Sequence, residues 1–171
     1  MVALAGLHWP AVFDALVLER DAVLRGQLWR LWSGHLVHLD LRHATFNLAA
    51  LALLAAIAAR MRQLPALLRT SLLLMPLLSI GLLLAAPALQ WYAGLSGLLH
   101  GWAAWLLLRH GGRIALAAGI VLAAKLAWEQ IAPATGSMAF PVIHAAHLIG
   151  ALLGAGFALI DRKTRHAARG G

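Results

Sequence analysis

Five long apolar segments dominate this sequence and limit what it can fold into. They are bounded by Arg, Pro and Gly and cover about 43–60, 70–87, 92–109, 114–131 and 141–160. Each approaches the ~20 residues that a helix needs to cross a bilayer. Their apolar residues are continuous, whereas the strands of a membrane β-barrel alternate apolar with polar residues. The sequence therefore predicts an all-α, polytopic membrane protein rather than a soluble enzyme or a disordered chain.

A sixth segment, residues 2–18, is less regular because His8, Pro10 and Asp14 interrupt it. We expect it to be a short or incomplete first span. Residues 19–42 follow it and mix tryptophan with charged residues, a composition typical of the membrane interface. The 171 residues have room for about six spans and no second domain. The prediction is one six-helix domain covering the whole chain.

The distribution of basic residues indicates how the spans are oriented. Nine of them flank the loops on one side or lie in the tail: Arg60, Arg62, Arg69, Arg109, Arg113, Arg162, Lys163, Arg165 and Arg169. The positive-inside rule makes this side cytoplasmic. Residues 161–171 are then a basic cytoplasmic tail, and residues 19–42 are an outer interfacial loop. Topology thus accounts for the net charge of +8, and we expect a lipid bilayer and no nucleic acid as partner.

Polar residues within apolar segments are costly in lipid and are functional candidates. Counting residues 2–18 as the first span, they are His38, His43 and Asn47 near the second span (43–60), Gly94-Leu95-Ser96-Gly97 in the fourth (92–109), and His144 and His147 in the sixth (141–160). All lie at the predicted outer ends of their spans. Counted from the predicted span starts, Ser96 lies about four residues deep and His147 about six, roughly 6 and 9 Å below one surface. The three groups are therefore predicted to meet.

A serine and a histidine at one depth can act as nucleophile and base. The side chains of His43 and Asn47 share a helix face, and with the Ser96 backbone N–H they could stabilise an oxyanion. No Asp or Glu is expected at that level, which favours a Ser–His dyad over a triad. Lys125 and Glu129 are instead predicted to form a structural i, i+4 pair. The sequence has no cysteine, which excludes a cysteine nucleophile.

Two pairs of small residues predict a close approach of the fourth and sixth spans. They are Gly97 with Gly101, and Gly150 with Gly154. Small residues at i, i+4 let helix backbones come near each other in membranes. That approach would bring the serine and the histidine within hydrogen-bond distance.

In this order, the motifs resemble the rhomboid intramembrane serine proteases. The resemblance covers about residues 26–160 and rests on Trp29-Arg30, His38-x4-His43-x3-Asn47, Gly94-Leu95-Ser96-Gly97 and Ala146-His147-x2-Gly150-x3-Gly154. It implies a six-helix bundle and the following roles: Ser96 as nucleophile, His147 as base, His43 and Asn47 as oxyanion donors, His38 as an organiser of the outer loop, and Gly94, Gly97, Gly150 and Gly154 as supporting residues.

His100 departs from the family pattern. Many rhomboids have an aromatic residue one helical turn after the serine, packed on the base. Here a histidine takes that place. We expect His100 to pack against His147 or to hydrogen-bond with it.

A narrower resemblance is to the small bacterial rhombosortases. It rests on residues 29–38, on Gly94-Leu95-Ser96-Gly97-Leu98-Leu99-His100-Gly101 and on Lys125-Leu126-Ala127-Trp128-Glu129-Gln130. It implies substrates that are secreted proteins anchored by a C-terminal tail, made of a GlyGly-containing motif, one transmembrane helix and a basic cluster. It also implies the bacterial inner membrane, an active site facing the periplasm, and no cofactor or metal.

Two alternatives from other functional classes stay open. Imidazoles at one depth, such as those of His43, His100 and His147, could bind haem or a metal. That interpretation leaves the Gly-Leu-Ser-Gly motif unexplained. The second alternative is a catalytically inactive rhomboid relative that binds transmembrane segments. Such relatives typically lack the serine or the histidine, and this sequence has both.

Overall fold

The structure is a computed structural model that describes residues 10–131 and 143–167, with side chains described up to residue 161. Its helices are α1 (Pro10–Leu16), α2 (Arg20–Leu24), α3 (Arg30–Ser33), α4 (Leu41–Arg60), α5 (Leu64–Ala85), α6 (Ser96–His110), α7 (Gly112–Ile131) and α8 (His144–Ala167). Two short strands, β1 (Leu18–Glu19) and β2 (Trp91–Tyr92), pair antiparallel. The mostly helical fold predicted from the apolar segments is confirmed.

Four helices are long and apolar enough to cross a membrane: α4, α5, α7 and the part of α8 up to Asp161. The remaining long apolar segment, 92–109, forms α6, which has 15 residues and is not among these four. The predicted first span, residues 2–18, corresponds in its described part to the seven-residue α1, and residues 1–9 lie outside the described residues. The first span, and with it the six-span bundle, therefore stays a prediction.

Several helices begin at a different residue from the one predicted, for local reasons. α4 begins two residues early because the Asp40 carboxylate caps it, accepting from the His43 N–H at 2.7 Å. α5 begins at Leu64 rather than 70, with a proline in its first turn, where the missing N–H costs nothing. Arg69 thus lies inside a helix and not in a loop. α6 begins at Ser96 rather than 92, because Trp91 and Tyr92 form β2.

α6 is the central helix, and its side chains are buried on several sides. The buried residues are Leu98, Leu99, Trp102, Trp105 and Leu106, with Gly97 and Gly101 on the face toward α8. A Cβ on Gly150 would overlap the Gly97 carbonyl oxygen, and one on Gly154 would overlap that of Gly101. Only glycine allows this contact, so the two helices are in backbone contact beside the serine.

The outer loop, residues 19–42, is fixed to α5 by hydrogen bonds. The Arg20 guanidinium donates to the carbonyls of Leu83, Ala86 and Leu89 at 2.8–2.9 Å. These carbonyls lie at and beyond the C-terminal end of α5, where helix carbonyls lack partners. The buried His35 contacts the Met75 carbonyl and the Ser79 hydroxyl through Nε2, both at 3.0 Å. The loop is therefore a fixed part of the fold.

Pro76 inside α5 provides a further attachment point for the outer loop. Proline has no N–H, so the carbonyl of Leu72, four residues earlier, loses its helical partner. The Trp32 indole N–H donates to that carbonyl at 2.9 Å. The proline thus provides the acceptor to which the loop tryptophan binds.

Candidate active site

Ser96 and His147 face each other at the N-terminal ends of α6 and α8. Ser96 is the first residue of α6, and His147 lies in the first turn of α8. The Ser96 Oγ is 3.0 Å from the His147 Nε2, and His147 is 5% exposed. This is hydrogen-bond distance for a nucleophile and its base. The predicted depth of four residues for Ser96 was wrong, because the chain before it forms β2 and a turn.

The turn before Ser96 depends on Gly94. Its φ is +125°, a conformation that side-chain-bearing residues rarely adopt. A Cβ at this position would also lie 2.6 Å from the His43 Cε1. The Tyr92 hydroxyl donates to the Gly94 carbonyl at 2.8 Å and holds the turn closed. Glycine is therefore required for His43 to approach the chain just before the serine.

His43 and Asn47 lie one helical turn apart on α4 and line the same cavity as Ser96 and His147, with a volume of about 460 Å³. Asn47 is 5% exposed. Its Nδ2 is buried and has no hydrogen-bond partner within residues 10–131 and 143–161. A buried donor without an acceptor is costly. The cavity thus has a donor available for an oxygen of a bound substrate.

His38 lies behind His43 and does not line the cavity. Its ring centroid is 5.0 Å from that of His43, edge to face. Burial lowers the pKa of His38 to about 4, the neighbouring His43 acts in the same direction, and the Asp40 carboxylate opposes them. His38 is therefore neutral at neutral pH. It packs against the ring that faces the cavity.

Glu129 is the residue that sequence reasoning missed. The His147 Nδ1 is 3.0 Å from the Glu129 Oε2, so the expectation of no carboxylate at this level was wrong. The predicted pair with Lys125 does form, with Nζ 2.5 Å from Oε1. Glu129 lies two residues before the end of α7 at Ile131, on the outer end of that span. This position could have identified Glu129 from the sequence, because it matches the depth of the other polar residues.

His100 and His144 complete the surroundings of His147. The His100 ring stacks on that of His147, with centroids 4.1 Å apart and planes 14° from parallel. Its Nδ1 donates to the Ser96 carbonyl at 2.7 Å, and its Nε2 accepts from Lys125 at 2.9 Å. His144 donates through Nδ1 to the Glu129 carbonyl at 2.7 Å. These contacts join α6, α7 and α8 around His147.

One group of side chains in this region has the composition of a metal site. His100, Glu129 and His147 place one ligand atom each within 4.8 Å of one another. Imidazole nitrogens and carboxylate oxygens are ligands that zinc accepts. The Lys125 ammonium, however, already bonds to His100 and Glu129. The sequence suggested His43, His100 and His147 as metal ligands, and in the structure Glu129 takes the place of His43 in this group.

Comparison with known proteins gives one family. The rhomboid domain family model matches residues 25–164. This range begins in the outer loop and includes Ser96, Glu129 and His147. No curated protein matches the chain at a significant level.

Proposed function

This chain belongs to the rhomboid family, and from that premise we propose that Ser96 and His147 are the nucleophile and base of its active site. Rhomboids are serine intramembrane proteases that act on membrane proteins in the bilayer, and this chain is an integral membrane protein. The observation that carries the proposal is the 3.0 Å distance between the Ser96 Oγ and the His147 Nε2.

In the first step, the Ser96 Oγ attacks the carbonyl carbon of the scissile peptide bond. A C–O bond forms, the serine proton moves to the His147 Nε2, and the carbonyl electron pair becomes an oxyanion. The imidazolium then protonates the leaving amine as the C–N bond breaks. A water molecule attacks the resulting ester, its proton passes through His147, and Ser96 is regenerated; an amine could replace the water.

The oxyanion requires donors placed before the reaction begins. The cavity supports this role with the Asn47 Nδ2, which has no other partner in the described part of the chain, and with the His43 ring beside Gly94. Ser96 also opens a helix, and first-turn N–H groups have no intrahelical acceptor. A developing negative charge is favoured there by the helix dipole.

We further propose the rhombosortase specificity for this site. The substrate would be a secreted protein with a C-terminal GlyGly-containing motif, one transmembrane helix and a basic cluster. The proposed location is the bacterial inner membrane, with the cavity on the periplasmic side and the C-terminus in the cytoplasm. Supporting this orientation, most of the Lys and Arg residues lie at or near the opposite ends of the helices or in the tail.

The test is cleavage of a co-expressed reporter that carries such a C-terminal tail. Wild-type protein should cleave it, and Ser96→Ala and His147→Ala should not. Two matched controls should retain cleavage. Thr70→Ala removes a hydroxyl that bonds to its own helix, and His110→Ala removes an exposed histidine at the other end of α6. Equal processing by all variants would contradict the proposal for this substrate.

Labelling with a fluorophosphonate probe tests the nucleophile without a choice of substrate. Wild-type protein should be labelled, Ser96→Ala should not, and His147→Ala should react far more slowly. A wild-type protein without Ser96-dependent labelling would favour the inactive, helix-binding relative.

A further inference from the structure

The Glu129 carboxylate makes two contacts, one with each of its oxygens. Oε2 faces the His147 Nδ1 at 3.0 Å, and Oε1 faces the Lys125 Nζ at 2.5 Å. The Glu129 side chain is 14% exposed and that of His147 is 7% exposed. A carboxylate in this position is costly unless it is paired and hydrogen-bonded. Both of its oxygens are satisfied here, so the position is stable for a charged group.

The contact with His147 determines which ring nitrogen carries the proton. A carboxylate can only accept, so Nδ1 must be the protonated nitrogen. Nε2 is then free to accept the Ser96 hydroxyl proton at 3.0 Å. This is the tautomer that a general base needs. Without the carboxylate, nothing else among the described contacts of Nδ1 would select it.

We propose that Glu129 is a positioning residue that holds the His147 imidazole in the base-competent tautomer and stabilises the imidazolium formed after proton transfer. The inference rests on the proposed function, since it assigns His147 as the base. It replaces the predicted dyad by a Ser96–His147–Glu129 arrangement whose carboxylate comes from a different helix, α7. Proton transfer still ends at His147, and Glu129 neither gains nor loses a proton.

Because Lys125 places a positive charge near His147, the negative charge of Glu129 is needed more for His147 to accept a proton. Its ammonium bonds to His100, whose ring is stacked on His147, so a positive charge lies near the base. A second positive charge on His147 would be opposed by this ammonium. The Glu129 carboxylate lies between them and offsets both charges. Removing its charge while keeping its shape should therefore affect proton transfer more than binding.

The variant that isolates this role is Glu129→Gln, which keeps the size of the side chain and removes its charge. A glutamine amide could also donate to Nδ1 and favour the wrong tautomer. Purified protein is assayed with the cleaved reporter, and the fluorophosphonate labelling rate of Ser96 is measured in parallel. We expect kcat and the labelling rate to fall by about a hundredfold or more. KM should stay within about twofold and the thermal midpoint near that of wild type, since only the charge has changed.

Two controls on the same helix separate this role from structural ones. Lys125→Met breaks the same ion pair but leaves the contact of Glu129 with His147, so its kcat should stay much closer to that of wild type than the kcat of Glu129→Gln does. Gln130→Ala removes a side chain whose amide donates to the Leu126 carbonyl of its own helix, and should behave as wild type.

Three results would overturn the inference. They are an unchanged kcat in Glu129→Gln, a loss of kcat that is matched by a lower thermal midpoint and a higher KM, and an equal loss in Lys125→Met. Failure of the proposed function looks different, because wild-type protein itself would then show no Ser96-dependent labelling.

Discussion

At the scale of single residues, the cavity depends on which polar side-chain atoms already have hydrogen-bond partners and which do not. Asn47 is the clearest case, because its buried amide nitrogen has no acceptor in the described part of the chain. It lies on the same helix face as His43 and lines the same cavity as Ser96. A donor left without an acceptor in the free protein gains a partner when an oxyanion forms, which favours the transition state over the ground state.

Asn47→Ala is therefore expected to lower kcat strongly while leaving the fold intact. Loss of one oxyanion donor costs about a hundredfold or more in kcat. The control is Thr45→Ala on the same helix, because the Thr45 hydroxyl is exposed and bonds to the Leu41 carbonyl. Steady-state cleavage of the reporter measures both variants. A kcat within about twofold of wild type in Asn47→Ala would remove this residue from the oxyanion site.

At the scale of elements, the distance between α6 and α8 sets the distance between Ser96 and His147, the proposed nucleophile and base. The two helices touch through glycines, and the hydrogen bond between Ser96 and His147 lies at the outer end of this contact. Packing of this kind leaves no space for further atoms, because added atoms force the backbones apart. The glycines thus act on the chemistry through helix spacing.

Gly154→Ala should separate α6 from α8, because the new Cβ would overlap the Gly101 carbonyl oxygen. We expect a loss of stability of about 1–3 kcal/mol and slower labelling of Ser96. Gly156→Ala is the matched control on the same helix, since a Cβ there meets nothing within 4 Å. It should be neutral or slightly stabilising, as alanine favours helix more than glycine does. Equal thermal midpoints for the two variants would contradict the role of helix spacing.

At the scale of the whole molecule, the outer loop and the helix bundle unfold together if the buried contact between His35 and α5 couples them. Burial lowers the pKa of His35 from 6.5 to about 4, against the opposing effect of its bond to the Met75 carbonyl. Between these two pH values the unfolded chain binds a proton that the folded protein does not. The stability from neutral His35 is thus present above about pH 6.5 and lost as the pH falls toward about 4.

The expected loss over this range is about 3 kcal/mol at most. Thermal unfolding in detergent micelles, followed from about pH 7.5 to about pH 4.5, should show a falling midpoint. A His35→Gln variant should be less stable at neutral pH and should fall less steeply, because its side chain does not titrate. A midpoint that is constant in wild type across this range would rule out the contribution of His35.

The sequence predicted the helical membrane fold and the candidates Ser96 and His147 because both depend on local patterns. Apolar length identifies spans, and the positions of polar residues along them identify a common depth. Glu129 was paired with Lys125 correctly, but its contact with His147 depends on how α7 packs beside α8. The bond between Trp32 and Leu72 likewise depends on a proline-freed carbonyl forty residues away. Such contacts follow from tertiary packing and not from spacing.

The helix that carries Glu129 has little protein around it. Only Ala115 and Leu126 of α7 are buried, the smallest buried share among the candidate spans. Most of its surface is therefore left for lipid to cover, and helices respond to bilayer thickness by tilting. A tilt of α7 would move the carboxylate relative to the imidazole of His147. Acyl-chain length would then act on this site as an effector does, with the membrane itself adjusting how readily the serine reacts.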